Sequence, residues 1–210
     1  MSDIAGPDAA VTFPPGFFDR SDERDDAAFY GPPRLVQHID DAAVATVSAY
    51  YDEVGVDGDV LDLMSSWVSH LSTPPRHLTV LGMNAAELGA NTWAHERVVH
   101  DLNADPRLPF ADASFDTVVC TVSVDYLTSP VAVFRDIGRV LRPGGRFAVT
   151  FSNRCFPTKA VRGWLAADDA GHQEIVAAYF RASGAFEEPV IEIRPSAGDP
   201  VFGVSAARAE

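Results

Sequence analysis

Polar side chains able to do chemistry recur in this chain just past short apolar runs. Asp62, Met64, Ser65 and Ser66 close one such run, Met83 and Asn84 a second, Asp101 and Leu102 a third, and Ser123, Asp125 and Tyr126 a fourth. Serine hydroxyls and an asparagine amide donate and accept hydrogen bonds, so they suit a small polar ligand. Asp125 or Tyr126 could deprotonate or orient a reacting group, or serve only as loop residues. After a fifth run, Asn153 and Arg154 add an amide and a cation. Arg154 would suit a carboxylate or other anion, although pairing with a surface acid is the commoner role. Cys155 has no histidine close in sequence and reads as a packed thiol. The six histidines raise the question of a metal, but His38 with Asp41 and His95 with His100 form no recognisable ligand set.

The elements that must position these residues follow from hydrophobic periodicity. Leu35, Ile39, Ala42, Ala43, Val47 and Tyr50 recur at helical spacing and predict an amphipathic helix over 34–54, ended by Gly55 and Gly58. Strands are predicted at 59–64, 77–81, 97–102, 115–122 and 146–152. Between them fall helical stretches near 67–71, at 85–90 and at 131–141, the last stopped by Pro143-Gly144-Gly145. This alternation implies a parallel sheet with helices on both faces. A helical region over about 158–182 then precedes two apolar runs, 190–193 and 201–206, separated by a Pro- and Gly-containing turn, which reads as a hairpin. In an open α/β sheet the ligand sits beyond the carboxyl ends of the strands, where strand order reverses, and there the candidate residues gather.

Composition narrows the function classes. At 210 residues with 47% apolar content, one domain can bury a full core. A formal charge of -14 would repel a phosphate backbone, so nucleic acid ranks low as a partner. Two cysteines, the absence of a basic start with an apolar segment, and no apolar run near membrane-spanning length point to a cytoplasmic protein with no membrane partner. Residues 1–33 form a Pro-, Gly- and Asp-rich leader before a domain over 34–210. Its five aromatics, Phe13, Phe17, Phe18, Phe29 and Tyr30, suffice to dock it. It is expected to be an ordered lid in which Tyr30 and Arg34, flanking a rigid Pro-Pro, make first contacts with a substrate. Packing on another face as plain support is the alternative.

The segment DASFDTVVCTVSVDYLTSPVAVFRDIGRVLRPGG, beginning at Asp112, together with Leu108-Pro109-Phe110, resembles the centre of small-molecule class I S-adenosylmethionine-dependent methyltransferases of the type 11 group. The resemblance covers roughly residues 58–155. It implies a Rossmann-like α/β fold with a seven-stranded, mainly parallel sheet and an antiparallel C-terminal hairpin. It also implies S-adenosylmethionine as cofactor, with its methionine part beside Met64 to Ser66, ribose beside Met83 and Asn84, and adenine beside Asp101 and Leu102. An Asp101 carboxylate can accept from the adenine amino group while the next backbone N–H donates to a ring nitrogen.

The sequence departs from that pattern at three places. Where the family has D-x-G-x-G-x-G, this chain has Asp62-Leu63-Met64-Ser65-Ser66-Trp67-Val68, with side chains at all three glycine positions. Such glycines let the backbone turn tightly and approach the ligand. Ser65 and Ser66 could instead bond the amino-acid end of the cofactor, or a looser loop could hold it further away. Asn84 stands where an acid often takes the ribose hydroxyls, and Asp125-Tyr126 where the group often has histidines. The leading expectation is methyl transfer to a small-molecule acceptor, which mainly requires positioning and desolvation of the nucleophile. The alternative is a catalytically inactive methyltransferase-like binding protein. A nicotinamide dehydrogenase is weaker, for want of G-x-G-x-x-G.

Overall fold

The computed structural model describes residues 12–210; residues 1–11 of the leader lie outside the described residues. The apolar runs form one seven-stranded sheet from β1 (Asp59–Leu63), β2 (His77–Gly82), β3 (Glu96–Val99), β4 (Phe115–Thr121), β5 (Leu141–Phe151), β6 (Val190–Arg194) and β7 (Val201–Ala207). The spatial order is β3-β2-β1-β4-β5-β7-β6. The first five strands run parallel, and β7 runs antiparallel to both β5 and β6. Strand order therefore reverses between β1 and β4. The central strands are buried along nearly their whole length, as expected when both faces of a parallel sheet are covered.

Among the described residues six α-helices complete the layers: α1 (Asp26–Tyr30), α2 (Asp41–Glu53), α3 (Ala85–Ala90), α4 (Pro130–Val140), α5 (Arg162–Leu165) and α6 (Asp169–Ser183), with a short 3-10 turn at Val124–Tyr126. Proline opens α4, where its missing N–H costs nothing, and Val133, Phe134, Ile137 and Val140 form its buried face. One core cluster joins α4 and α6 to the sheet through Phe134, Phe147, Tyr179 and Phe180. A second packs Ala43, Val47, Tyr50 and Tyr51 of α2 on the opposite face. No described helix is long and apolar enough to cross a membrane.

Four elements differ from the sequence expectation, and β5 begins at Leu141, five residues before the expected 146. The helix predicted from residue 34 begins at Asp41, because Asp40 caps it by accepting from the Ala43 N–H at 2.8 Å. Residues 34–39 run instead as an extended connection that leaves Leu35 and Val36 exposed. No helix forms near 67–71. The connection from β1 to β2 is a loop held by side chains: Trp67 donates to the Val36 carbonyl, Asn91 to Ser69, and Ser48 to the His70 carbonyl. His70 takes φ 48°, a conformation that interrupts a right-handed helix, and Pro74-Pro75 closes the loop. β3 ends at Val99, so Asp101 and Leu102 lie in the turn beyond it. Lastly, the region predicted as one helix over 158–182 divides into α5 and α6.

The described part of the leader is anchored at two places. Phe13, Phe17 and Phe18 pack tilted or edge-on against one another, Phe13 and Phe18 also meet Tyr179, and the Phe17 carbonyl accepts from Gly163 N–H. This half packs against the core cluster that contains Tyr179. The second anchor is ionic. Asp26, 4% exposed, accepts from Arg20 at 2.8 Å on both oxygens, from Lys159 at 2.9 Å and from Asn103 at 2.9 Å. Lys159 is fully buried and also donates to the leader carbonyls of Asp22 and Arg24. Burial works against the charge on Asp26, but the bonds from Arg20, Asn103 and Lys159 outweigh it and hold its carboxyl below the usual range.

Removing the shared anion would leave the buried Lys159 with only its longer pair to Asp22 at 3.6 Å, and the buried Arg20 with only Glu23 at 3.8 Å. Asp26→Ala is therefore expected to cost about 3–5 kcal/mol of unfolding free energy in urea titrations, with part recovered by adding Lys159→Met. A loss below about 1 kcal/mol would show that the cluster is not what holds the leader.

Candidate functional site

A cavity of about 270 Å³ lies at the carboxyl ends of β1, β2 and β4, beside the reversal of strand order. Met64, Ser65, Ser66, Met83, Asn84, Asp101, Leu102 and Ser123 all line it, as do Tyr30, Arg34, Tyr126 and Arg154. Three residues singled out in the sequence do not. Asp62 lies behind the wall, in contact with a smaller hollow of about 60 Å³ that it shares with His70. Asp125 is buried, and Asn153 points outside the lining. The cavity also includes residues not picked out as site residues: Asp26, His38, Gly82, Glu87, His100, Asn103 and Phe156.

The β1 end turns tightly without any of the expected glycines. Met64 adopts φ 55°, a left-handed conformation that costs an L-residue of this kind roughly 1–2 kcal/mol. The Ser65 N–H then donates to the Leu81 carbonyl at 2.7 Å, pulling the loop onto β2. The glycine that makes this approach possible is on the neighbouring strand. A Cβ added at Gly82 would stand 2.3 Å from the Ser65 carbonyl oxygen. The loop is thus closely packed, in place of the looser arrangement considered from the sequence. Across the reversal point, Val122 at the end of β4 is also held at φ 43°, an outlier for a β-branched residue.

Polar groups on the cavity wall divide into those already engaged and those open. Asn84 is engaged at both ends: its oxygen caps α3 by accepting from Ala86 and Glu87 N–H groups, and its nitrogen donates to the Tyr30 and Gly31 carbonyls of the leader. Glu87 accepts from the Arg34 N–H on one oxygen and from the Ser66 hydroxyl on the other, both at 2.6 Å. Asn103 accepts from Thr128 and donates to Asp26 and the Tyr126 carbonyl. Asp101 uses one oxygen, Oδ1, to accept from the Asn103 and Ala104 N–H groups. Among the described residues its other oxygen takes no hydrogen bond, and the Leu102 N–H makes none.

Three buried acids and phenols surround this cavity in their neutral forms or near them. Burial pushes the Asp62 carboxyl up to about 7, against the pull of hydrogen bonds from Ser65, at 2.6 Å, and Ser69. Burial likewise pushes Asp125 up to about 8, and its Oδ2 has no partner among the described residues. Tyr126 is held well above the ordinary phenol range by burial and by the nearby Asp125, and its oxygen accepts from the Phe156 N–H at 2.8 Å. No described group of three or more His, Cys, Asp or Glu is arranged to hold a metal ion.

The raised Asp62 value has a consequence for stability. The native chain retains a proton that the unfolded chain releases near pH 4, so the contribution of Asp62 is full below about pH 4 and is lost as pH rises through about 7. Asp62→Asn should abolish that loss. Urea unfolding at intervals from pH 4 to 8 should show the variant gaining on the wild type by up to about 1.4 kcal/mol per pH unit within the window. Parallel pH curves would mean that Asp62 titrates normally.

Comparison with known proteins agrees with this geometry. Residues 65–149 match a family model described as a methyltransferase domain. The ubiquinone/menaquinone biosynthesis C-methyltransferase of Rubrivivax gelatinosus is 32% identical over 116 residues, covering 55% of this chain and 39% of that protein. The ubiquinone biosynthesis O-methyltransferase of Xanthomonas euvesicatoria is 26% identical over 49% of this chain and 42% of its own length. The chain therefore spans about two fifths of these relatives. Among solved structures, the 1,6-didemethyltoxoflavin-N1-methyltransferase of Burkholderia thailandensis superposes with a TM-score of 0.60 at 20% identity, covering 81% of this chain and 80% of that one. By its strand order and its likeness to this structure, the chain has the fold of the class I methyltransferases.

Proposed function

We propose that the chain binds S-adenosylmethionine in the 270 Å³ cavity and transfers its methyl group to a small-molecule acceptor beneath the leader. The observation that carries this reading is the open pair on the third strand end. Asp101, with one carboxylate oxygen free among the described residues, and Leu102, with its N–H likewise free, both line one cavity, and together they offer the donor–acceptor set that matches the amino group and ring nitrogen of adenine. Ser65 and Ser66 border the other end of the cavity, where the amino-acid part would lie. When bound, the cofactor would supply an electrophilic methyl group carried on a cationic sulfur.

The chain's own residues account for the remaining requirements. Tyr30 and Arg34 of the leader side wall the cavity from above, excluding water from the reacting region. Tyr126, Phe156 and Arg154 form the wall at the ends of β4 and β5, where an acceptor would sit. Relatives named for methylation of ubiquinone and menaquinone precursors, and a fold neighbour solved with 1,6-didemethyltoxoflavin and S-adenosylhomocysteine, support a small molecule as acceptor. The chain's charge of -14 disfavours nucleic acid in that role.

A second reading is favoured by Asn84, whose amide is fully spent on α3 and the leader and has nothing left for a ribose hydroxyl. On that reading the protein holds an adenine-containing ligand without turning it over. Calorimetric titration with S-adenosylhomocysteine and a turnover assay separate the two. Binding is expected, and Asp101→Ala should weaken it by about 1–3 kcal/mol while leaving the fold intact. No heat and no thermal shift at millimolar ligand would end both readings, and equal affinity for the variant would remove Asp101 from the site.

A further inference from the structure

The acceptor end of the cavity has a composition of its own. Tyr30, Tyr126 and Phe156 make a continuous aromatic wall, with ring centroids 6.4 Å apart between Tyr30 and Tyr126 and 5.9 Å between Tyr126 and Phe156. Arg34 lays its guanidinium over Phe29 at 4.6 Å and over Phe156 at 5.6 Å. That side chain donates to the Phe29 carbonyl at 2.8 Å, and at 3.5 Å to Pro32, but among the described residues it pairs with no carboxylate. Arg146 and Arg208 are likewise half-buried without a carboxylate partner among the described residues, but Arg34 alone of the three lines the cavity. The other basic side chain on the wall, Arg154, is already paired with Asp199 at 2.8 Å.

A second unfilled group stands beside it. The Tyr30 hydroxyl is buried and has no hydrogen-bond partner among the described residues. Burial, followed by the charges of Asp26 and Asp125, keeps this phenol protonated, so it has a proton to donate. Arg34 and Tyr30 thus both line the aromatic end of the cavity, one a cation whose side chain is bonded only to backbone carbonyls and the other carrying a buried donor with no partner among the described residues.

Resting on the methyl-transfer reading, we infer that the acceptor is a flat aromatic ring bearing an anionic group, with the ring against Tyr126 and Phe156 and the anion on Arg34 and Tyr30. Ring-on-ring contact gives orientation as well as burial, and guanidinium binds a carboxylate or phenolate with directional hydrogen bonds. The carboxylate of the cofactor's methionine part has the same chemistry. Arg34 is assigned to the acceptor because its guanidinium lies over Phe29 and Phe156, on the β5 side. Its backbone N–H shares Glu87 with Ser66 at the methionine end, so the cofactor affinity of Arg34→Gln separates the two assignments.

The test uses the full chain saturated with S-adenosylhomocysteine, probed with 4-hydroxybenzoate, its uncharged analogue 4-hydroxybenzamide, and cyclohexanecarboxylate. Binding of the first is expected to be at least tenfold tighter than that of either other probe. Arg34→Gln should erase the preference for the acid over the amide, and Tyr30→Phe should reduce it, with circular dichroism and thermal midpoint unchanged in both. Affinity for S-adenosylhomocysteine alone should be unaltered in Arg34→Gln. Equal binding of acid and amide, no saturable binding of any probe, or a preference that survives Arg34→Gln would overturn the inference. So would a tenfold loss of S-adenosylhomocysteine affinity in that variant, which would give Arg34 to the cofactor. Failure of the wild type to bind S-adenosylhomocysteine at all would instead count against the underlying methyl-transfer reading.

Discussion

Asp26 is the residue on which the cavity depends. It is the shared anion of Arg20 and the fully buried Lys159, and it also holds Asn103, which in turn ties down Thr128 and the Tyr126 carbonyl. One carboxylate therefore links the leader, the turn after β3, the turn after β4 and the segment after β5. Taking three charged groups out of water is costly, and that cost is offset only while all of them stay together. The arrangement places α1 so that Tyr30 and Arg34 fall over the strand ends, where the sheet alone would leave an open groove.

The same economy of backbone appears at the reversal point between β1 and β4. A fold of this kind needs the chain to turn sharply after β1 and to lie close to β2. Here the turn is made by a strained Met64, and the close approach is allowed by Gly82. Of the non-glycine residues at positive φ, Met64, His70 and Val122 line the two adjoining hollows, and Ala113 lies outside them in the turn before β4. The strain at the hollows persists because the surrounding contacts fix it: Ser65 on Leu81, Val122 on Thr150, and Ser48 on the His70 carbonyl.

Most of the sheet was legible in the sequence because alternation of apolar runs and helical periods is a local signal. Strands β1, β2, β4, β6 and β7 and helices α3 and α4 fall within a residue or two of their expected bounds. The errors arose where side-chain bonds override periodicity. Trp67 to Leu71 is apolar enough for a helix, yet Ser69 and His70 bond to Asn91 and Ser48 and set a loop; Leu35 fits the α2 spacing, yet Asp40 caps the helix later. The strand-end candidates were visible by topology, and ten of them line one cavity together with Tyr30 and Arg34. Asp62 and Asp125 were placed correctly along the chain, but the direction of a side chain behind the wall has no local signature. The Asp26–Lys159 pair was unreadable for the same reason: its partners lie far apart in sequence, and a charge-dense leader resembles solvated surface until its burial is seen. Glu87, by contrast, carried a signal that was overlooked, since an acid in the first turn of a helix that begins at a strand end must face the same crevice.

The central claim is that the leader and the strand ends together enclose the ligand. Hydrogen–deuterium exchange of the full chain with and without S-adenosylhomocysteine tests it most directly. The account predicts slower exchange in two separate stretches on ligand addition, 26–38 in the leader and 101–103 in the turn after β3. Protection confined to the strand ends, with residues 26–38 exchanging at the same rate in both states, would contradict it.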